Sequence, residues 1–165
     1  MDKITFKGSI VNGRSRHVEL YVPGRNELPA APTDWPLKLC PGSLNIKINS
    51  NGYPDEFKNR DLAETVKSLD SALFKAAFEI KQNQFGNNLL TPTNAIPNRG
   101  DAQVWKSTLK ANNKSISCWV LRRYGSGLAW ELEVVSDLNI RNEYGFSIDK
   151  DCPCEIELFG KWENT

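Results

Sequence analysis

Histidine and methionine each occur once in this chain, as His17 and Met1. A structural zinc site needs about four converging nitrogen or sulfur ligands. Only four cysteines (Cys40, Cys118, Cys152 and Cys154) accompany the one histidine, and Cys152-Pro153-Cys154 is a C-x-C pair with no matching second pair. The pattern points to reduced thiols rather than to zinc or a disulfide framework. Long apolar runs are also missing. Nothing approaches the roughly 18 apolar residues of a membrane span, and Met1 to Gly8 lacks the apolar stretch of a signal peptide. The expectation is a soluble, cytoplasmic protein without membrane contact. Charge of one sign is not in excess either, with 21 basic against 20 acidic residues and a net charge of +1, so nucleic acid is not the expected partner. There is no Gly-x-x-x-x-Gly-Lys-Ser/Thr phosphate loop, no internal repeat and no low-complexity tract.

What is present is an ordinary globular composition. Of 165 residues, 39% are hydrophobic and 25% charged, enough to build a core and far from disorder. A single domain over residues 1–165 is expected. Ile4-Thr5-Phe6 and Gly8-Ser9-Ile10-Val11 read as strand, followed by the turn signal Asn12-Gly13. His17 to Val22 alternates polar and apolar residues like a half-buried strand. Residues 23–43 hold five prolines and read as a loop. Leu44 to Asn49 resumes the alternation, with Leu44, Ile46 and Ile48 on one face, and Asn51-Gly52 ends it.

Between about residues 59 and 83, Leu62, Val66, Leu69, Leu73, Ala76, Ala77 and Ile80 recur at steps of three and four, which predicts one long amphipathic helix. Residues 83–101, rich in Asn, Pro and Gly, predict a second long loop. Asp101–Leu109 and Ser115–Leu121 read as a hairpin about Asn112-Asn113-Lys114, and Tyr124-Gly125-Ser126-Gly127 as a further turn. Ala129–Val135 and Cys154–Phe159 are the last strands, with a short C-terminal helix over Asn139–Tyr144 between them. Many short strands with turns between them predict a mainly β fold, a small closed β-barrel. Trp105 and Trp119 lie in strand patterns and are expected in the core. Trp35, between prolines, is a candidate lid that stacks on a ring system.

The segment with most chemical content is Pro41-Gly42-Ser43-Leu44-Asn45. Pro-Gly makes a tight turn and lets backbone approach a ligand. Ser43 and Asn45, two apart at the mouth of a strand, share one face, while Leu44 takes the other. A hydroxyl and an amide carbonyl are hard oxygen ligands of the kind magnesium accepts when substrate phosphates supply the rest of its shell. The bland alternative is a turn with two oxygens.

The order Gly8-x-Ile10-Val11-x-Gly13, then Pro41-Gly42-Ser43-Leu44-Asn45-Ile46-Lys47-Ile48, then Leu132-Glu133-Val134-Val135-Ser136-Asp137-Leu138-Asn139-Ile140-Arg141-Asn142-Glu143-Tyr144-Gly145-Phe146, resembles the CTP-dependent riboflavin kinases typical of archaea. That resemblance implies a riboflavin kinase-like cradle-loop barrel that moves a phosphoryl group from a nucleoside triphosphate to riboflavin, giving FMN. It implies magnesium as cofactor, held by Ser43 and Asn45. It implies nucleotide contacts at Asn12, Gly13, Arg14, Ser15 and Arg16, and at Leu138, Asn139, Ile140 and Arg141. Flavin contacts would come from Ser126 and Glu133, and Glu133 is the candidate catalytic base. Glu131 shares its strand face, so either carboxylate fits that role. The chain departs from the family at two places. Asn12 to Arg16 is short and holds one glycine where the family wraps its nucleotide in several, and a serine stands where the family has a flavin-contacting threonine. Two rival readings follow: a barrel that binds a nucleotide or other small ligand without turnover, and a barrel that binds DNA or a protein.

Overall fold

Eight strands dominate the computed structural model, which describes residues 1–11, 21–40, 44–85, 90–140 and 152–163. They are β1 (Asp2–Val11), β2 (Leu44–Ile48), β3 (Phe74–Lys75), β4 (Phe78–Ile80), β5 (Ala102–Ala111), β6 (Lys114–Arg123), β7 (Glu131–Val135) and β8 (Cys152–Trp162). The pairing runs β8-β1-β2-β7-β6-β5, and β5 returns to β8, so six antiparallel strands close on themselves. Each of the six strands is thus paired on both sides over part of its length, as closure requires. The mainly β, closed-barrel expectation therefore holds.

Register follows the period-two pattern of the sequence. Leu44, Ile46 and Ile48 of β2 line the interior beside Leu132 and Val134 of the neighbouring β7 and Ile4, Phe6 and Ile10 of the neighbouring β1, where all are buried. Gly8 is required where β1 meets β2, since a Cβ there would stand 2.1 Å from the Lys47 carbonyl oxygen. The β5–β6 hairpin turns through Asn112 and Asn113, both with positive φ, which asparagine tolerates better than most residues. Trp105 lies in the interior core, as expected from its strand position.

A second apolar cluster lies outside the barrel. Phe78, Ile80, Ala102, Val104, Trp119, Leu121 and Val135 form a continuous outer patch on β4, β5, β6 and β7. Residues 21–40 cross over it, bringing Val22, Leu28, Trp35 and Leu39 down onto it. Trp35 is fully buried, its ring 4.9 Å from Phe78 and 5.0 Å from Trp119, and its Nε1 donates to the Pro23 carbonyl oxygen at 3.1 Å. It anchors this outer wall to the barrel and is too buried to act as the candidate lid.

The long helix predicted over residues 59–83 does not form. A five-residue helix, α1 (Asp55–Asn59), is followed by a 3-10 turn over Val66–Ser71, then by β3 and β4. Asp61 and Ala72 both have positive φ, which interrupts any continuous helix. The apolar stripe is real, and Val66, Leu69 and Ile80 are buried. Its residues reach the core from a 3-10 turn and two short strands. The tertiary cause is the splay between β5 and β8. β5 pairs with β8 over Lys106–Lys110 and with β4 over Ala102–Val104, while the end of β8 pairs with β3. Strands β3 and β4 take up hydrogen bonds that the diverging barrel strands leave open, and Phe74, Phe78 and Ile80 suit that half-buried pleat. The short C-terminal helix lies almost wholly outside the described residues, as does most of the strand expected over His17–Val22. The loops at 23–43 and 83–101 are confirmed as irregular where they are described, apart from single 3-10 turns at Arg25–Glu27 and Gln82–Gln84. All four cysteines are free thiols. Among the described residues no helix is long and apolar enough to cross a membrane.

Candidate functional site

The outer face of the barrel changes character as it passes from β6 to β7 and β2. Alternation puts Trp119, Leu121 and Arg123 of β6, Glu131, Glu133 and Val135 of β7, and Asn45 and Lys47 of β2 on this one face. Trp119 pairs with Val135 and Leu121 with Glu133, and on the other side of β7 Asn45 pairs with Glu133 and Lys47 with Glu131. The apolar half of the face is sealed by residues 21–40. The polar half carries Asn45, Glu131, Glu133 and Arg123.

These polar groups are far from ordinary surface residues. Asn45 and Glu131 are buried, at 8% and 7% exposure, and Asn45 Nδ2 donates to Glu131 Oε1 at 3.2 Å. The two residues are 86 apart in sequence and meet only because β2 pairs with β7. Burial pushes the Glu133 carboxyl above its ordinary pKa, and the neighbouring Glu131 adds to the rise while Arg122 and Arg123 oppose it. Burial also pulls Arg123 below the usual guanidinium value, with Glu133 and Asp101 working to restore it. Arg123 is held by Nε donating to the Gly100 carbonyl at 2.7 Å and by stacking on Phe85, 4.4 Å from the ring centre.

Arg122, pointing the other way on β6, fixes the adjoining turn. Its guanidinium grips Asp70 with two bonds of 3.0 and 3.1 Å and also donates to the Ser126 and Leu128 carbonyls. Ser126 Oγ in turn accepts from the Leu128 amide at 3.2 Å. The expected flavin pair, Ser126 and Glu133, thus line one narrow cleft with Glu131, Arg122 and Arg123. Its volume is about 10 Å³, room for one water molecule.

Of the other expected site residues, Leu138 and Asn139 are exposed at the far end of β7, and Ile140 turns its side chain into the barrel core. The Cys40 amide donates to the Ser136 carbonyl at 2.8 Å, which ties the residue just before Pro41 to the one just before Asp137. Ser43, Asn12, Gly13, Arg14, Ser15, Arg16 and Arg141 lie outside the described residues.

The donor set suits a hard cation in part. An amide oxygen and two carboxylates offer oxygen only, but among the described residues no three His, Cys, Asp or Glu side chains converge. A cation here would need further ligands, the regime of magnesium, which keeps waters and takes phosphate oxygens. The residue the sequence reading passed over is Arg123. It follows Trp119 and Leu121 at steps of two, so its place on this face was readable once β6 was known to extend that far. No family model and no curated protein matches this chain.

Proposed function

We propose that the chain is a magnesium-dependent phosphotransferase that carries a phosphoryl group from a nucleoside triphosphate, CTP by resemblance, to riboflavin. The observation that carries this reading is the cross-strand pairing of Asn45 with Glu133. The Pro41–Ile48 and Leu132–Phe146 segments that resemble that family thus meet on the barrel wall where β2 pairs with β7. In this reading Asn45 and Ser43 hold the cation, which neutralises phosphate charge when bound. Glu133, whose burial raises its affinity for a proton, accepts the proton of the attacking hydroxyl. Arg123 stands next to Glu133 as a fixed positive charge for the transferring phosphoryl group, and such transfer depends on positioning and charge more than on covalent steps.

A second reading, a barrel that binds a phosphate ligand without turnover, is favoured by the narrowness of the cleft beside Ser126 and Glu133. One experiment separates the two. The protein is incubated with riboflavin, Mg²⁺ and each of CTP, ATP, GTP and UTP, and FMN is sought by chromatography. FMN from one donor, reduced at least 100-fold by Glu133→Gln in line with the usual worth of a general base, supports the kinase. Nucleotide binding without FMN from any donor establishes the second reading.

A further inference from the structure

We propose that, independently of any phosphotransfer, the edge of β1 at Lys3 and Thr5 docks an extended peptide with one acidic side chain, which adds to the sheet as a short strand. The edge is open because the strands differ in length. β1 and β8 run for 10 and 11 residues, but β2 has only 5. β1 pairs with β8 from Asp2 to Ile10 and with β2 only from Gly8 to Val11. After Ile48 the chain turns away instead of continuing beside β1. The Asn49 amide donates to the Lys7 carbonyl at 3.0 Å, and the Lys7 amide donates to the Gly52 carbonyl at 2.8 Å. Residues 2–6 therefore have a ladder partner on one side only.

Backbone alternation decides which groups this leaves open. In an antiparallel ladder the N–H and C=O of one residue point to one neighbour, and those of the next residue point to the other. Lys7 bonds on the β2 side, so Lys3 and Thr5 point that way too, while Ile4 and Phe6 point to β8. Pro153 fits this phase, since it stands opposite Ser9, where the β1–β8 ladder needs no N–H. Among the described residues nothing bonds the Lys3 and Thr5 backbone on the open side. That edge borders a groove of about 370 Å³, with Lys3, Thr5 and Lys7 on one side and residues 51–56 on the other. A strand laid there antiparallel to β1 follows the line that β2 leaves, which is recognition by strand addition.

Charge selects the occupant. Ile4 and Phe6 lie in the core, so Lys3, Thr5 and Lys7 project outward. Lys3 Nζ donates to Glu157 and has further donors to give. A carboxylate directly opposite Lys3 is favourable, and a second lysine there is not. Asp55 and Glu56 stand on the far wall, so the match is a single carboxylate on the β1 side rather than an acidic run. A second copy of this chain fits poorly. Its own β1 edge has the same wall of residues 51–56 beside it, and pairing would set the lysines of both edges along one seam.

The test is amide hydrogen exchange of the whole chain followed by NMR, with and without the capped pentapeptide Val-Thr-Val-Glu-Val, which sets its threonine opposite Thr5 and its glutamate opposite Lys3. In the free protein the Lys3 and Thr5 amides should exchange fast, and those of Ile4 and Phe6 slowly. Saturating peptide is expected to slow Lys3 and Thr5 by about 10-fold or more and to leave Ile4 and Phe6 unchanged. Methylating the peptide's threonine and glutamate nitrogens removes the donors that meet β1 and should weaken binding about 10-fold. Replacing its glutamate by lysine should weaken binding about 5-fold. Protection of Lys3 and Thr5 in the free protein at every concentration, or no added protection with peptide, overturns the proposal. Protection that rises with protein concentration alone identifies a second copy as the occupant and overturns it too. So does equal binding of the glutamate and lysine peptides, or of the methylated and unmethylated ones.

Discussion

Glu133 holds a carboxyl where the surrounding protein favours its neutral form, and that has a cost to stability that can be read by titration. Its folded pKa is raised, chiefly by burial, while the unfolded chain releases the proton near the ordinary value of about 4.3. At neutral pH the folded state must carry a half-buried carboxylate that the unfolded state hydrates freely, so ionisation works against folding. Glu133→Gln is therefore expected to stabilise the protein at pH 7, by removing the charge that folding must bury. The gain should shrink as the pH falls toward 4 and vanish where both states are protonated. Urea melts of the two proteins across that range check it; a variant less stable at pH 7 would show that Glu133 supports the fold. At this scale the sequence was informative about faces. Period two put Glu131 with Glu133 on one face, where the barrel keeps them. It could not show that Asn45 would meet those carboxylates, because the β2–β7 register joins segments 86 residues apart and is set by the closed barrel as a whole.

Among the elements, the barrel strands were legible while β3 and β4 were not, and the reason is where each finds its hydrogen bonds. β2, β5, β6 and β8 carry their own alternation and pair with strands like themselves. The stretch from 59 to 83 carries apolar residues at helical spacing, yet the open stretches of β5 and β8 compete for its backbone, and the left-handed conformation of Ala72 separates the 3-10 turn from β3. Local periodicity lost to tertiary pairing. The crossing segment 21–40 shows the opposite case, a proline-rich loop that works as an outer wall. Its anchor is Trp35, in edge contact with Phe78 and Trp119. Trp35→Ala should lower stability by about 3–5 kcal/mol, the range for removing a buried large aromatic ring, with the fall seen as a lower urea midpoint at unchanged slope. A lid tryptophan would instead leave the midpoint in place and weaken only ligand binding. Because Leu39 packs in the same outer cluster and the Cys40 amide donates to the Ser136 carbonyl, the variant should also weaken the hold of that wall on the end of β7.

Across the whole molecule the seam that closes the ring is β8, which touches both β1 and β5. At this seam Glu157 stands opposite Thr5 of β1 and Thr108 of β5. Its carboxylate bridges the two neighbours, accepting from Lys3 Nζ at 3.0 Å and Lys110 Nζ at 3.2 Å. One negative charge thus clamps three strands that come from the start, middle and end of the chain. The hydrogen bond from Lys3, and then that from Lys110, hold the Glu157 pKa below its ordinary value against the opposing effect of burial. A carboxyl whose folded pKa is depressed stabilises the fold fully above its unfolded pKa, and that stabilisation is lost as the pH falls through the folded value. Glu157→Gln should therefore cost stability at pH 7 and cost nothing at the acid end, where the native glutamate is itself protonated. Both lysines are about half exposed (49% and 46%), so solvent screens the clamp and the expected loss is about 1 kcal/mol. Adding salt should narrow the gap between the two proteins at pH 7. Thermal unfolding followed from pH 7 down to pH 3 would trace it. If the difference stays constant across that range, the clamp acts through shape and packing, and closure of the barrel owes nothing to the charge on Glu157.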